Sequence, residues 1–401
     1  MISVVNHQPR LNGNNMKRIT VYIIGLLMLL VGSNIHAQQS TPLKIAVFAP
    51  IYLDTVFNEQ TYVAGNNYLP KIILPGLDFY NGIQLAIDSL NTEGQNIIVQ
   101  FYDSKSQTAS VKQLLASVEM QDISMIIAAF NQRNEVKPLA DFALSKQIPL
   151  ISMTYPNDGG VKGNPFFALV NPTLTTHIES IFKYLQKNHP TDPIIYVRKP
   201  GALEDMIEGI FTDLNKKTPA LPLKFRFISA NDSTNIAAFN SILDSTKTNL
   251  LLCGSLNENF GINLVKSVAA NKPYKALIIG MPTWDAIKDL GKGTDLLITT
   301  PYQYNRTDKI AQYINLKYRQ KVAGRPSDMV FKGFEALYHF GKLLIKHQKN
   351  IHNQLSDNSF KLFNEFDFVP VKANGESVPT YLENKKIYFI KKADGVIKSV
   401  Q

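Results

Sequence analysis

Pro75–Asp103, PGLDFYNGIQLAIDSLNTEGQNIIVQFYD, decides the fold. Tyr80, Ile83, Ile87 and Leu90 recur at helical spacing, which gives the first part of the stretch one apolar face. Gly94 stops the helix, because glycine enters the left-handed backbone of a helix end without steric cost. Ile97–Tyr102 then forms a short apolar run of buried-strand type. A helix, a glycine turn and a buried strand are the repeating parts of an α/β layer.

The flanking sequence repeats the pattern. Leu43–Ala49 (LKIAVFA) reads as a buried strand, and about twenty-five irregular residues, Pro50–Pro75, separate it from the helix. Downstream, Val111, Leu114, Leu115 and Val118 mark a helix face, Ser124–Ala128 a strand, Val136, Leu139, Ala140 and Ala143 a helix, and Ile148–Ser152 a strand. Apolar strands alternating with helices predict a parallel sheet covered on both faces. The alternation restarts at Phe166–Val170. Strands at Pro193–Arg198, Leu223–Ile228, Asn249–Cys253, Ala276–Ile279 and Leu296–Thr299 are separated by helices near Leu203–Lys216, Ile236–Ser245 and Phe260–Ala270. Two long helices follow, about Thr307–Lys321 and Asp328–His347. The tail differs: Phe363–Val369 and Lys386–Lys391 read as strands joined by a turn at Asn374-Gly375. Two βα runs and a returning segment predict two lobes. Ligands on open parallel sheets bind outside the carboxyl ends of the strands, so the expected site is the cleft between lobes, with hinge closure around a small ligand.

The N-terminus reads as an export signal. Met16-Lys17-Arg18 is basic, Ile19–Val31 is apolar and Gly32–Ala37 ends in a small residue, so residues 1–37 are expected to be cleaved. Met16 is an alternative start. The apolar run is short for a membrane span, and no Cys follows Ala37 to carry a lipid. A periplasmic or secreted protein, peripheral to the membrane at most, is expected. Residues 1–37 carry three Lys/Arg and no Asp/Glu, so the remainder keeps 39 basic and 32 acidic side chains, a net charge of +7. These charges are scattered, which argues against a nucleic-acid partner. Cys253, the only cysteine, lies in the apolar run NLLLCG and reads as a buried small residue. The chain has no Gly-x-Ser-x-Gly elbow, His-Glu-x-x-His, P-loop or Gly-x-Gly-x-x-Gly behind a strand. His177, His189, His339, His347 and His352 are dispersed and read mostly as surface residues. A binding protein, not an enzyme, is expected, with no cofactor and no metal.

LKIAVFAP, NGIQLAIDSLN, the strand ending in YDS, MIIAAFN, KPLADFALSKQIPLIS and GINLVKSVAA resemble, in order, the type I periplasmic binding proteins, the leucine/isoleucine/valine-binding proteins in particular. The resemblance implies two Rossmann-like lobes with parallel sheets joined by three crossovers, expected near Asn171, Pro301 and Pro370. Lobe 1 then comprises 41–171 and a return segment 302–370; lobe 2 comprises 172–301 and a return at 371–401. It also implies a monomer that captures a small ligand, amino acid-like or a short peptide, for an ABC importer with its permease subunits. A ligand-sensing or cell-wall-associated module of the same fold is the alternative. The chain lacks the LysM segment some relatives carry.

Ligand contacts in this family come from loops after the strands. The loop after Ser124–Ala128 offers Asn131, Gln132 and Arg133, where relatives have small Ser/Thr residues that hold the ligand carboxylate with helix N-terminal N–H groups. Arg133 there adds a fork for a carboxylate or phosphate. The next loop offers Ser152, Thr154 and Tyr155. In lobe 2, Asn257, Thr283, Trp284 and Asp285 follow strand ends. Relatives that bind α-amino acids place an acidic residue just after the Ala276–Gly280 strand, and Asp285 lies a few residues late. From the long loop after the first strand, which also carries Tyr62, Asn66, Asn67 and Tyr68, Tyr52 is the expected contact of a lid.

Overall fold

The computed structural model describes residues 42–400, apart from 59–60, 64, 66–68, 231–240, 271–273, 288–292 and 374. The expected export signal, Asn66, Asn67, Tyr68 and the first half of the expected Ile236–Ser245 helix lie outside the described residues.

Strand β1 (Leu43–Ala49) enters the first sheet. The 57–58 and 61–62 segments form a small hairpin in the long loop, which leads to α1 (Leu74–Thr92). Then come β2 (Ile97–Asp103), α2 (Val111–Leu115), β3 (Ile123–Ala128), α3 (Val136–Lys146), β4 (Leu150–Ser152) and β5 (Phe167–Leu169). The chain passes into a second sheet through α4 (Leu174–Asn188). That lobe contains β6 (Pro193–Arg198), α5 (Ala202–Lys217), β7 (Lys224–Ser229), β8 (Thr248–Cys253), α6 (Glu258–Ala270), β9 (Lys275–Ile279) and β10 (Thr294–Thr300). Helices α7 (Lys309–Lys321) and α8 (Asp328–His347) return to the first lobe, followed by β11 (Phe368–Val371) and β12 (Tyr381–Asn384). Strands β13 (Tyr388–Ala393) and β14 (Val396–Val400) end the second lobe.

The first sheet has the order β11-β12-β5-β4-β3-β1-β2, and the second β14-β13-β10-β9-β8-β6-β7. Six strands of the first sheet run parallel and β11 is an antiparallel edge; in the second, β13 alone runs against the others, antiparallel to both β10 and β14. Strand β1 explains the double-sided burial. Ile45, Val47 and Ala49 join the apolar layer of α1 and α8, while Ala46 and Phe48 join the layer of α3 on the opposite face. Helices α1 and α8 touch through glycines. A Cβ at Gly82 would lie 2.1 Å from the Val330 carbonyl oxygen, and one at Gly333 would lie 2.2 Å from that of Phe79. Only glycine permits this approach.

Three segments join the lobes. The first runs from β5 into α4 and the second from β10 into α7. The third falls between Asn384 and Tyr388, later than the expected crossing near Pro370, because β12 pairs in parallel with β5 and stays in the first sheet. The two tail strands expected to share one turn therefore belong to different sheets. Each pairs with a strand the sequence reading lacked, β11 with β12 and β13 with β14. Phe363–Asp367 is irregular. The first two crossings leave a strand's carboxyl end and enter a helix N-terminus. The third leaves the carboxyl end of β12 and enters the sheet where Tyr388 pairs with Thr300, at the carboxyl end of β10. All three connect the carboxyl edges of the two sheets, so those edges face the cleft.

Candidate interlobe ligand site

In each sheet the order reverses beside the first strand of its lobe, and ligands on open α/β sheets bind there. In the first lobe the reversal lies between β1 and β3. Tyr52 follows β1 and Asn131 follows β3, and the Asn131 Nδ2 donates to the Tyr52 Oη at 2.9 Å. Tyr52 holds a left-handed backbone at φ 60°. Asp103, at the end of β2, fixes this loop by accepting the N–H groups of Ile51 (2.9 Å) and Leu53 (2.8 Å). Asp54 accepts Gln107 N–H (2.6 Å) and the Ser106 hydroxyl (2.9 Å), which hold its carboxyl below the ordinary aspartate value.

The expected anion site in the next loop is already filled. Glu135 is buried, and its Oε2 accepts the backbone N–H of Asn131 (2.9 Å) and of Gln132 (2.8 Å). Its Oε1 accepts Ser104 Oγ (2.9 Å) and lies 3.1 Å from Lys105 Nζ. Lys105 also donates to Gln132 Oε1 (2.7 Å) and sits 5.8 Å above the Tyr52 ring. The chain's own carboxylate thus takes the donors a ligand carboxylate was expected to use. Neither Lys105 nor Glu135 was singled out from sequence. Gln132 and Glu135 stand three apart at a helix start, a capping-box spacing that could have revealed the pairing.

The other first-lobe candidates divide. Arg133 is exposed. It lies with Lys112, Asn134, Lys137 and Gly159 in a groove of about 730 Å³ beside α2 and α3, not among the Tyr52–Asn131 contacts. Ser152 is fully buried and its Oγ has no partner among the described residues, so it belongs to the core. The Thr154 hydroxyl donates to the Phe130 carbonyl at 2.6 Å, and the Thr154 carbonyl accepts Asn171 Nδ2 at 2.6 Å. Tyr155 is half-buried against the α3 layer.

On the second lobe the reversal lies between β6 and β8. Ser255 Oγ donates to the buried Glu204 (2.7 Å), and the Asn257 Oδ1 accepts Phe260 N–H (2.9 Å) to cap α6. Thr283 Oγ1 donates to the Leu256 carbonyl (2.7 Å), tying two neighbouring loops. Trp284 is not a cleft wall. It is fully buried, its Nε1 donates to the Ser255 carbonyl at 3.0 Å, and its ring packs on Gly261 and Gly280, where a Cβ on either would lie 2.5 Å away. The two glycines make the slot that draws the indole inward. Asp285 is exposed, with its Oδ1 2.9 Å from Lys392 Nζ.

No hydrogen bond among the described residues joins the Tyr52–Asn131–Thr154 group to the Asn257–Thr283–Asp285 group. The lobes are tied through the crossings. Thr173 N–H (2.7 Å), Thr173 Oγ1 (2.8 Å) and Thr176 Oγ1 (2.8 Å) all donate to Glu383 Oε1, and Lys385 Nζ lies 2.6 Å from Glu383 Oε2. Burial pushes the Glu383 carboxyl up, but Lys385 and Thr173 outweigh it and hold it below the ordinary glutamate value. His177 is buried beneath the crossings, contrary to a surface position. Its Nδ1 is 2.9 Å from Thr299 Oγ1, and burial holds it neutral with a pKa of about 4. Tyr302 Oη donates to the Met153 carbonyl, and Gln303 N–H donates to Asn364 Oδ1 (2.7 Å). His339 is likewise buried, in the α8 core. Cys253 is buried as expected, and burial raises its thiol well above the ordinary value.

No protein-family model and no curated protein matches the chain. Solved structures do. A putative branched-chain amino acid ABC transporter protein from Rhodospirillum rubrum aligns with a TM-score of 0.63 at 10% identity, over 90% of this chain and 100% of its own. An ABC transporter substrate-binding protein from Desulfitobacterium hafniense, in complex with Leu, aligns at 0.57 and 13% identity, over 89% and 99%. Full-length LpoA from Haemophilus influenzae aligns at 0.55 and 14% identity, over 95% of this chain and 62% of its own. Two facing parallel-dominated sheets, three crossings at their carboxyl edges and these likenesses establish the type I periplasmic binding protein fold for this chain.

Proposed function

We propose that the protein is an exported solute-binding protein that captures an amino acid-like ligand or short peptide between its lobes, without turnover, for an ABC importer. One observation carries this reading. The carboxyl edges of both sheets face each other, each presents its order-reversal loops, and the lobes are joined through three crossings. That arrangement allows the groups around Tyr52 and Asn257 to approach one another about a hinge. The likenesses to a substrate-binding protein solved in complex with Leu and to a putative branched-chain amino acid ABC transporter protein support the ligand class. Export rests on the sequence of residues 16–37. No helix of the described residues is long and apolar enough to cross a membrane.

The test is a thermal-shift screen of branched-chain and other amino acids, short peptides, sugars and nucleosides. A ligand at a hundredfold excess over its dissociation constant adds roughly 2.7 kcal/mol of stability. A melting temperature unmoved by any amino acid or peptide refutes the reading. The second reading, a sensing or cell-wall-associated module, draws on the likeness to LpoA. Co-purification with permease subunits favours the first, and retention on cell-wall material the second.

A further inference from the structure

Lys332 lies one turn into α8, beside the second crossing. Its Nζ sits 4.2 Å over the ring of Tyr302, and the Tyr302 hydroxyl is fixed on the Met153 carbonyl next to Thr154. Among the described residues this ammonium forms no hydrogen bond and no ion pair. The two carboxylates whose fields reach it are Asp328, on its own helix, and Asp285, on the opposite lobe. Both are committed elsewhere, Asp328 to Arg306 and Asp285 to Lys392 at 2.9 Å. Arg306 is itself stacked 3.9 Å from Phe331, which holds it on its own side of α8. Burial pulls the Lys332 ammonium below the ordinary lysine value, with Asp328 and Asp285 pulling it back. The Tyr302 ring face attracts this half-buried cation, and among the described residues no carboxylate pairs with it directly, so an anion reaching it would gain charge pairing at a partly desolvated site. Meanwhile, the backbone donors after β3 that would hold a carboxylate are saturated by Glu135.

The geometry points to Lys332 as the anchor for the anionic group of the cleft ligand, a carboxylate paired with its ammonium on the side away from the Tyr302 ring, at the hinge end of the cleft. This rests on the interlobe reading proposed above and adds to it. The ligand carries a carboxylate, and its anchor comes from α8 instead of the loop after β3.

Two experiments test the assignment. In the first, the protein's lysines are reductively methylated with carbon-13 and titrated with acetate. The Lys332 signal is identified by its loss in Lys332→Arg. The assignment predicts a saturable shift of that signal and a rise in its titration midpoint; a signal that acetate does not move overturns it. In the second, L-leucine and L-leucinamide are compared on wild type, Lys332→Met and Lys332→Arg. The wild type prefers the acid by at least tenfold, the methionine variant loses that preference, and the arginine variant keeps most of it. If leucine stabilises wild type and Lys332→Met equally, the cleft reading stands and the Lys332 anchor is refuted. If no amino acid or peptide stabilises the wild type, the function proposed above fails, and the acetate titration alone decides Lys332.

Discussion

Glu335 offers the sharpest quantitative prediction. It is fully buried on α8, where its Oε1 accepts the N–H groups of Phe363 (2.9 Å) and Asn364 (2.8 Å), and its Oε2 accepts Asn364 Nδ2 (2.6 Å). Asn364 in turn accepts the N–H of Gln303 in the second crossing, so this carboxyl supports the hinge. Burial pushes its pKa from 4.5 up to about 7, against the pull of Asn364 and Phe363. The sign follows directly. Below pH 4.5 the carboxyl is protonated in both states. Between 4.5 and about 7 the unfolded chain ionises first, so stability falls as pH rises, and above 7 the loss is complete. The gap corresponds to about 3 kcal/mol at about 1.4 kcal/mol per pH unit. Glu335→Gln cannot ionise. Its amide faces Asn364 Nδ2, which adds a constant cost at every pH. Urea unfolding of both proteins by circular dichroism from pH 4.5 to 8 separates the two effects. The stability of the variant relative to wild type should climb by about 3 kcal/mol across the range. His339, four residues on, is held by burial at about 4 and stays neutral over most of the window. Curves that stay parallel within about 0.5 kcal/mol, near the error of extrapolation, would refute the reasoning.

Other outcomes follow from the packing. Gly82→Ala or Gly333→Ala inserts a methyl against a carbonyl oxygen at the α1–α8 contact and should cost about 1–3 kcal/mol in chemical unfolding. Trp284, the only tryptophan, should emit at short wavelength and resist iodide quenching with or without ligand, and Trp284→Ala should cost about 3–5 kcal/mol. Tyr52→Phe removes the bond to Asn131, so its stability cost should be about 0.5 kcal/mol while ligand affinity falls by more than the same substitution at the core residue Tyr196.

The sequence carried the layers well because a buried parallel strand is an unbroken apolar run and its helix a periodic one. Leu43–Ala49, Pro193–Arg198 and Asp328–His347 stand where the pattern put them. The tail was misread because β12, YLEN, mixes apolar and polar residues and is buried by its neighbours instead of by its composition. The site was harder. Tyr52 and Asn131 were legible as loop residues after neighbouring strands, and the structure joins them. Trp284 was not, because its burial depends on Gly261 and Gly280, one of them on a separate helix. Glu135, Lys105 and Lys332 are charged residues in helices or loops, and only three-dimensional pairing separates them from ordinary surface charges.

The proposed function requires that ligand bind between the lobes. Hydrogen–deuterium exchange with and without a stabilising amino acid or peptide tests it most directly. With ligand in the cleft, the loops at 50–54, 129–135 and 153–156 should gain protection together with those at 254–257 and 281–285. Protection confined to one lobe, or centred on the α2–α3 groove around Arg133 and Lys137, would contradict it.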